Sequence, residues 1–285
     1  MDPTGAVTPG RGAWLREENT VVLHDVQVPH EIPAPFAILS ESAFVAVPLE
    51  FDPHSHPLHE LVWVRGGAMT VRLDDALVTV PDGHGLWIPA GMMHSGRMTA
   101  RTVLYDAMFD PDRSPVDFAD ATVIAITPLL ASLLTHLEGS HLDDDARTRA
   151  ESVVFDVLAP STQQLSLQVP NVARLDPIVS ALLADPTDDR MLRDWADLIG
   201  ASERTVARLF RAHTGLSFLQ WRQILRVHHA LSLLTEGLAV QEASELMGYA
   251  QSSTFIASFK RVMGVTPGAY LASIAAGRST PATAV

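Results

Sequence analysis

Two stretches of this 285-residue chain repeat each other 49 residues apart, and that repeat limits its architecture more than any other feature. Phe210-Arg211-Ala212-His213-Thr214-Gly215-Leu216-Ser217 and Phe259-Lys260-Arg261-Val262-Met263-Gly264-Val265-Thr266 both read aromatic, basic, three residues, glycine, aliphatic, hydroxyl. Upstream, Ala196 and Gly200 match Ser244 and Gly248. Each copy reads as a helix, a glycine turn, a second helix and a glycine stop. A helix-turn-helix needs a small residue where the second helix crosses the first, a turn glycine for positive φ, and apolar residues at helical spacing to lock the pair. Both copies meet all three requirements. In the first, Leu192, Trp195 and Ile199 form one apolar face, Ser202 is placed to cap the next helix, and Val206, Leu209 and Phe210 face inward. That leaves Arg204, Ala207, Arg208 and Arg211 outside. In the second, Ser252 is placed to cap, Phe255, Phe259 and Val262 face inward, and Ser253, Ile256, Ala257 and Lys260 face outward. Between the copies, Phe218–Thr235 reads as one long helix ending at Gly237. A rigid spacer of this kind suits two recognition helices about 34 Å apart, one turn of B-DNA.

Charge divides the chain in the same way. Residues 1–171 hold 9 Arg against 23 Asp plus Glu, a net of −14; residues 172–285 hold 10 Arg and 1 Lys against 10 acids, a net of +1. The first part repels DNA and suits cations or a small ligand, so a phosphate backbone must be met by the second.

The spacer and second copy carry a specific resemblance. Trp221, Arg222, Arg226, Ala230, Leu233 and Leu234, followed by Gly248-Tyr249, Ser253, Phe255, Phe259-Lys260-Arg261, Gly264, Thr266-Pro267 and Tyr270, resemble the AraC/XylS family of transcription regulators over about residues 190 to 270. One departure is Leu271, where the family usually has Arg. The resemblance implies that the outer faces of the two second helices enter adjacent major grooves of promoter DNA. Carried onto this chain, the base readers are Arg204, Ala207 and Arg208, then Ser252, Ser253, Ile256 and Ala257, with Arg211 and Lys260 completing the DNA-facing set. Arginine to guanine is the strongest discriminator among these, so the first helix should dominate specificity. Arg211, Arg222 and Arg226 suit either phosphate contacts or ion pairs inside the bundle.

The first half reads as short strands, Val21–Leu23, Phe44–Val47, Glu60–Val64, Met69–Leu73 and Leu86–Ile88, cut by Arg65-Gly66-Gly67 and Pro81-Asp82-Gly83 turns. Strands of this length and spacing predict a sandwich or small barrel. Met1–Arg16 lacks the apolar core of a secretory signal and reads as a frayed terminus. Pro128–Leu137 and Asp145–Leu158 carry helical spacing, Ala159–Asn171 reads as a linker, and the chain from Leu175 to about Ile274 reads as helical. The expected organisation is α+β in two domains: a cupin-like β-barrel over 1–120, a helical dimerisation segment and linker over 121–171, and an all-α double helix-turn-helix over 172–285.

The barrel segment also holds a candidate metal site. His54, His56 and Glu60 precede Gly67; Gly83, Pro89 and Gly91 precede His94, and this spacing resembles both motifs of the cupin barrels. His54 and His56 are read as pointing to one face of a strand, with His94 brought alongside by the Pro89-Ala90-Gly91 turn. Three imidazoles and a carboxylate suit a divalent ion such as Fe, Mn or Zn. Where Met98 stands, the second motif often has Asn, a position that is usually not a ligand. Barrels of this kind also bind organic ligands without metal, and that reading stays open. His59 is read as exposed, His84 as near the site, and Trp63, Trp87 and Phe44 as barrel core. With no cysteine, structural thiolate zinc is excluded. The resulting expectation is a cytoplasmic, non-enzymatic regulator, a homodimer through its two middle helices. Its partners would be promoter DNA, an effector metal ion or small molecule and, if it activates, RNA polymerase, with no membrane. The alternative is a metal-dependent cupin enzyme, which has no need of the doubled helix-turn-helix.

Overall fold

The computed structural model describes residues 19–278 except 25, 27, 117, 140, 141, 162–165 and 236, with the backbone alone at 273 and 276–278. The expected frayed terminus, the tail beyond 278 and the middle of the linker lie outside the described residues.

Eleven strands are described: β1 Val21–Leu23, β2 Ile38–Val45, β3 Leu49–His54, β4 His59–Arg65, β5 Ala68–Arg72, β6 Ala76–Pro81, β7 His84–Ile88, β8 His94–Met98, β9 Thr102–Phe109, β10 Thr122–Ala125 and β11 Ser166–Gln168. They form a six-stranded sheet, β1-β3-β8-β5-β6-β11, and a five-stranded sheet, β10-β7-β4-β9-β2. The expected barrel is thus two facing sheets, with no hydrogen-bonded strand pair joining them among the described residues. Between them lie Val62, Val64, Met69, Val71, Val78, Val80, Leu86 and Ile88. Strand alternation turns Leu61, Trp63, Trp87 and Phe109 to the opposite face of the five-stranded sheet.

That outer face is covered by α1 Pro128–Glu138 and α2 Asp144–Val157, capped by the side chains of Thr127 and Asp143. Leu130, Leu134 and Leu137 of α1 and Val154 of α2 bury themselves there. The buried Glu151 carboxylate accepts the backbone N–H groups of Ala37 and Ile38 at 2.9 and 3.2 Å, which ties α2 to the start of β2. Most of the apolar face of α1 is therefore consumed within the chain, while Leu129 stays exposed.

Phe44, expected in the core, is 68% exposed. Its strand faces inward at Val45, so a residue one position away points out. Trp63 and Trp87 are buried as expected. The expected linker adds β11 to β6, with Leu167 opposite Leu77; a three-residue strand is too short to carry a periodic signal.

Seven helices follow: α3 Asp176–Ala184, α4 Leu192–Leu198, α5 Glu203–Thr214, α6 Phe218–Thr235, α7 Val240–Leu246, α8 Ser252–Met263 and α9 Pro267–Arg278. The repeat is realised in three dimensions. The turn glycines Gly200 and Gly248 have φ of 61° and 72°, and the stop glycines Gly215 and Gly264 have 71° and 74°. Ala196 and Ser244 are buried where the helices cross. Ser202 caps α5 by accepting the N–H of Thr205 at 3.2 Å. Ser252 does not cap α8: it is the first helical residue, and extended Gln251 holds the cap position without a side-chain bond.

The helical unit rests on the outer face of the six-stranded sheet. Leu77 and Leu167 join a core with Trp221 and Leu225 of α6. The Trp221 Nε1–H donates to the Gln168 carbonyl at 2.7 Å, and His228 Nδ1 lies 2.5 Å from Thr79 Oγ1.

Candidate effector cavity and nucleic-acid interface

His54 closes β3 directly opposite His94, the first residue of β8, after a register shift between Phe51 and His54. His56 lies beyond the end of β3, not on the strand as expected, and reaches the same centre from the connection to β4. Glu60 is the second residue of β4. The ring centroids of His54 and His94 are 4.3 Å apart and those of His56 and His94 5.2 Å. A ligand nitrogen from each of the three imidazoles falls within 4.8 Å of the others.

Each Nδ1 meets a backbone carbonyl: His54 on Asp52 at 2.8 Å, His56 on Leu58 at 2.7 Å and His94 on Met92 at 3.0 Å. A carbonyl only accepts, so each Nδ1 carries its proton and the neutral ring presents a bare Nε2. Glu60 Oε2 then lies 3.2 Å from the Nε2 atoms of both His56 and His94. Two lone-pair donors facing one carboxylate oxygen need a proton or a metal cation between them. The fixed tautomers are the outer-shell arrangement that imidazole ligands require. Burial opposes ionisation of Glu60, yet its bonds with His56 and His94 outweigh it and hold the carboxyl at about 2. Burial lowers His54, whereas at His94 the Glu60 bond overcomes burial and raises the imidazole. The donor set fits a divalent ion.

The cluster opens into a cavity of about 450 Å3 between the sheets, walled by Val62, Met69, Val71, Met98, Leu104 and Met108. Asp106 and Glu41 also face it, and neither is among the site residues expected from the sequence. The available signal was Asp106 in the inward register of Leu104 and Met108, where an apolar residue is the rule. Burial raises the Asp106 carboxyl well above the usual carboxylate range, and the charges of Glu60 and Glu41 push the same way. Two readings of spare histidines change. His59 is buried, its ring tilted against Trp87 with centroids 5.1 Å apart, and its Nδ1 accepts the Ala90 N–H. His84 opens β7 opposite Ala125 and does not line the cavity.

On the helical side, α5 presents Arg204, Arg208 and Arg211 to solvent with Ala207 half-buried beside them. Helix α8 presents Ser253, Ile256, Ala257 and Lys260, with Ser252 half-buried. Both faces point away from the sheets' cores. Arg226 is structural: its buried guanidinium donates to the carbonyls of Pro186, Thr187 and Asp188 at 2.8, 3.1 and 3.3 Å. It also packs on Gly248, where an added Cβ would lie 3.4 Å from its Nη1. One side chain thereby clamps the loop after α3 to the turn of the second motif. Arg222 donates to the Arg190 carbonyl at 2.9 Å.

Fold and site define a two-part molecule, a ligand-binding double sheet fused to a double helix-turn-helix. The chain belongs to the AraC family of transcription regulators. Residues 49–151 match the AraC-like ligand binding domain and residues 195–273 a helix-turn-helix domain. The transcriptional regulator NimR of Escherichia coli (strain K12) is 32% identical over 249 residues, covering 86% of this chain and 89% of its own. The regulator RipA of Corynebacterium glutamicum is 26% identical over 74% of this chain and 61% of its own. Among solved structures, ToxT of Vibrio cholerae aligns over 84% of this chain and 98% of its own at 11% identity and a TM-score of 0.36. The chain is thus a DNA-binding transcription regulator with a ligand-binding domain. Among the described residues no helix is long and apolar enough to cross a membrane.

Proposed function

We propose that this regulator senses a divalent metal ion, iron, manganese or zinc, held by His54, His56, Glu60 and His94, and acts as a sensor rather than an enzyme. The observation that carries the reading is the convergence of three carbonyl-anchored imidazoles on one buried carboxylate. A bound ion would replace the protons those contacts otherwise need. The acidic first half favours cation capture.

The route to DNA runs through strand alternation. Met69 and Val71 of β5 line the cavity, while Thr70 between them lies with His228 and His229 of α6 on the other face. A shift of β5 on metal binding moves the surface on which α6 rests, and α6 joins the two reading helices. Such coupling requires the metal to bind the two arrangements with different affinity. In this reading α5 and α8 read two adjacent major-groove segments, with Arg204 and Arg208 as the principal base contacts and Arg211 and Lys260 on phosphates. The chain works in the cytoplasm as a homodimer, through the exposed Leu129 and Val153 of α1 and α2, and engages RNA polymerase where it activates.

The test is elemental analysis of untagged full-length protein beside a His56→Ala, His94→Ala double variant. The wild type should carry stoichiometric Fe, Mn or Zn, and the variant should fold, keep DNA binding and carry none. Equal metal in both, or none in the wild type after dialysis against these ions, contradicts the reading.

A further inference from the structure

Asp106 and Glu41 stand directly opposite one another across the β2–β9 ladder, and both face the cavity. Like charges at directly opposed positions of a sheet are destabilising. Asp106 Oδ1 is closed to solvent and has no hydrogen-bond partner among the described residues. A buried polar atom left unpaired costs free energy unless a ligand satisfies it. Among the described residues, no lysine or arginine lines this cavity. Apart from the carboxyl groups, Ser42 and the three imidazoles, the rest of its described lining, Met69, Val71, Met98, Leu104 and Met108 among it, is apolar. Among the described residues, three carboxyl groups face the space: Glu60 at the imidazoles, Asp106 deep in the wall and Glu41 at its exposed mouth.

From this arrangement we infer that the cavity takes a small amphipathic organic cation, a primary amine on an apolar body, with its ammonium group between Asp106 and Glu41. At this end of the cavity an anionic group would meet Asp106 and Glu41 with no basic side chain among the described lining residues. A bare inorganic ion would leave the apolar wall without a partner. The volume, about 450 Å3, lies within the range of small-molecule sites, roughly 300–1,000 Å3. Metal and amine would occupy opposite ends of one cavity, so the amine would be a second input beside the sensed metal. The inference rests on reading this cavity as the effector site.

The test is titration calorimetry of n-hexylamine, 1-hexanol and hexanoate into the full chain and into Asp106→Asn and Glu41→Gln variants. A charge-assisted hydrogen bond in a dry site is worth about 10- to 100-fold, so hexylamine should bind tighter than hexanol by that factor and hexanoate weakest. Asp106→Asn should abolish the amine preference and leave hexanol binding unchanged. Glu41→Gln, at the exposed mouth, should reduce the preference in part. The preference should survive removal of metal by chelation. Equal binding of amine and alcohol, a preference that survives Asp106→Asn, or one that disappears on chelation overturns the inference, while continued hexanol binding keeps the cavity as effector site. Failure of all three probes to bind, with no change on filling the cavity by Met69→Trp, overturns both.

Discussion

Replacing His228 by glutamine removes a proton-binding group from the seam between α6 and the six-stranded sheet. His228 is 3% exposed, and its Nδ1 lies 2.5 Å from Thr79 Oγ1. Burial holds its imidazole down at about 4, against 6.5 for a free histidine. Between those values the unfolded chain binds a proton that the folded chain refuses, so stability rises with pH through that window. The contribution is complete above about pH 6.5 and is lost as the pH falls towards 4. Moving from pH 7 to pH 5, this one residue withdraws about 2 kcal/mol from the folded state. Glutamine keeps a polar partner for Thr79 and does not titrate. Urea unfolding of wild type and His228→Gln at both pH values measures the difference, since every other histidine titrates alike in the two proteins. Wild type should lose about 2 kcal/mol more than the variant. Equal losses would refute the reasoning, because they would mean that His228 is solvated and the seam open.

Leu134→Ala empties a fully buried position beneath α1 and should cost about 2–5 kcal/mol in urea unfolding; a cost below 1 kcal/mol, by the same principle, would mean that α1 does not pack on the sheet as described. Gly67→Ala would place a methyl 2.0 Å from Thr102 Oγ1 and 2.5 Å from Thr99 Oγ1, so it should destabilise by about 1–3 kcal/mol, read as a lowered melting temperature. Arg208→Ala should cost about 1–3 kcal/mol of DNA affinity and relax preference at one base pair; competition with operator variants checks this, and uniform weakening across all of them would make Arg208 a phosphate contact.

The parts legible in the sequence share a physical trait: local geometry fixes them. The double helix-turn-helix was readable because Gly200, Gly215, Gly248 and Gly264 mark positive-φ positions that other residues enter only under strain. In the histidine cluster only the short steps from His54 to His56 to Glu60 are local; that His94 joins them was legible from the resemblance to the cupin motifs, since β3 and β8 are far apart in the chain. What escaped depends on neighbours far along the chain. Phe44 was misplaced because a one-residue shift of register inverts a strand's faces, and no flanking turn fixes that register. Leucines of α1 pointed to a partner because the sheet face that receives them forms from β4, β7 and β9, which are distant in sequence. Arg226 reads like a DNA contact until the carbonyls of Pro186–Asp188 arrive from a loop 40 residues earlier. Asp106 carries no motif; its meaning appears only when the cavity closes around it.

The most direct test of a metal-responsive regulator is a hydroxyl-radical footprint of the full protein on the DNA flanking its own gene, with and without added Fe, Mn or Zn. Two protected major-groove segments about one helical turn apart are expected. Their occupancy should change with metal in the wild type and stay constant in the His56→Ala, His94→Ala variant. A footprint that responds to metal equally in both proteins would contradict the assignment of the sensor to His54, His56, Glu60 and His94.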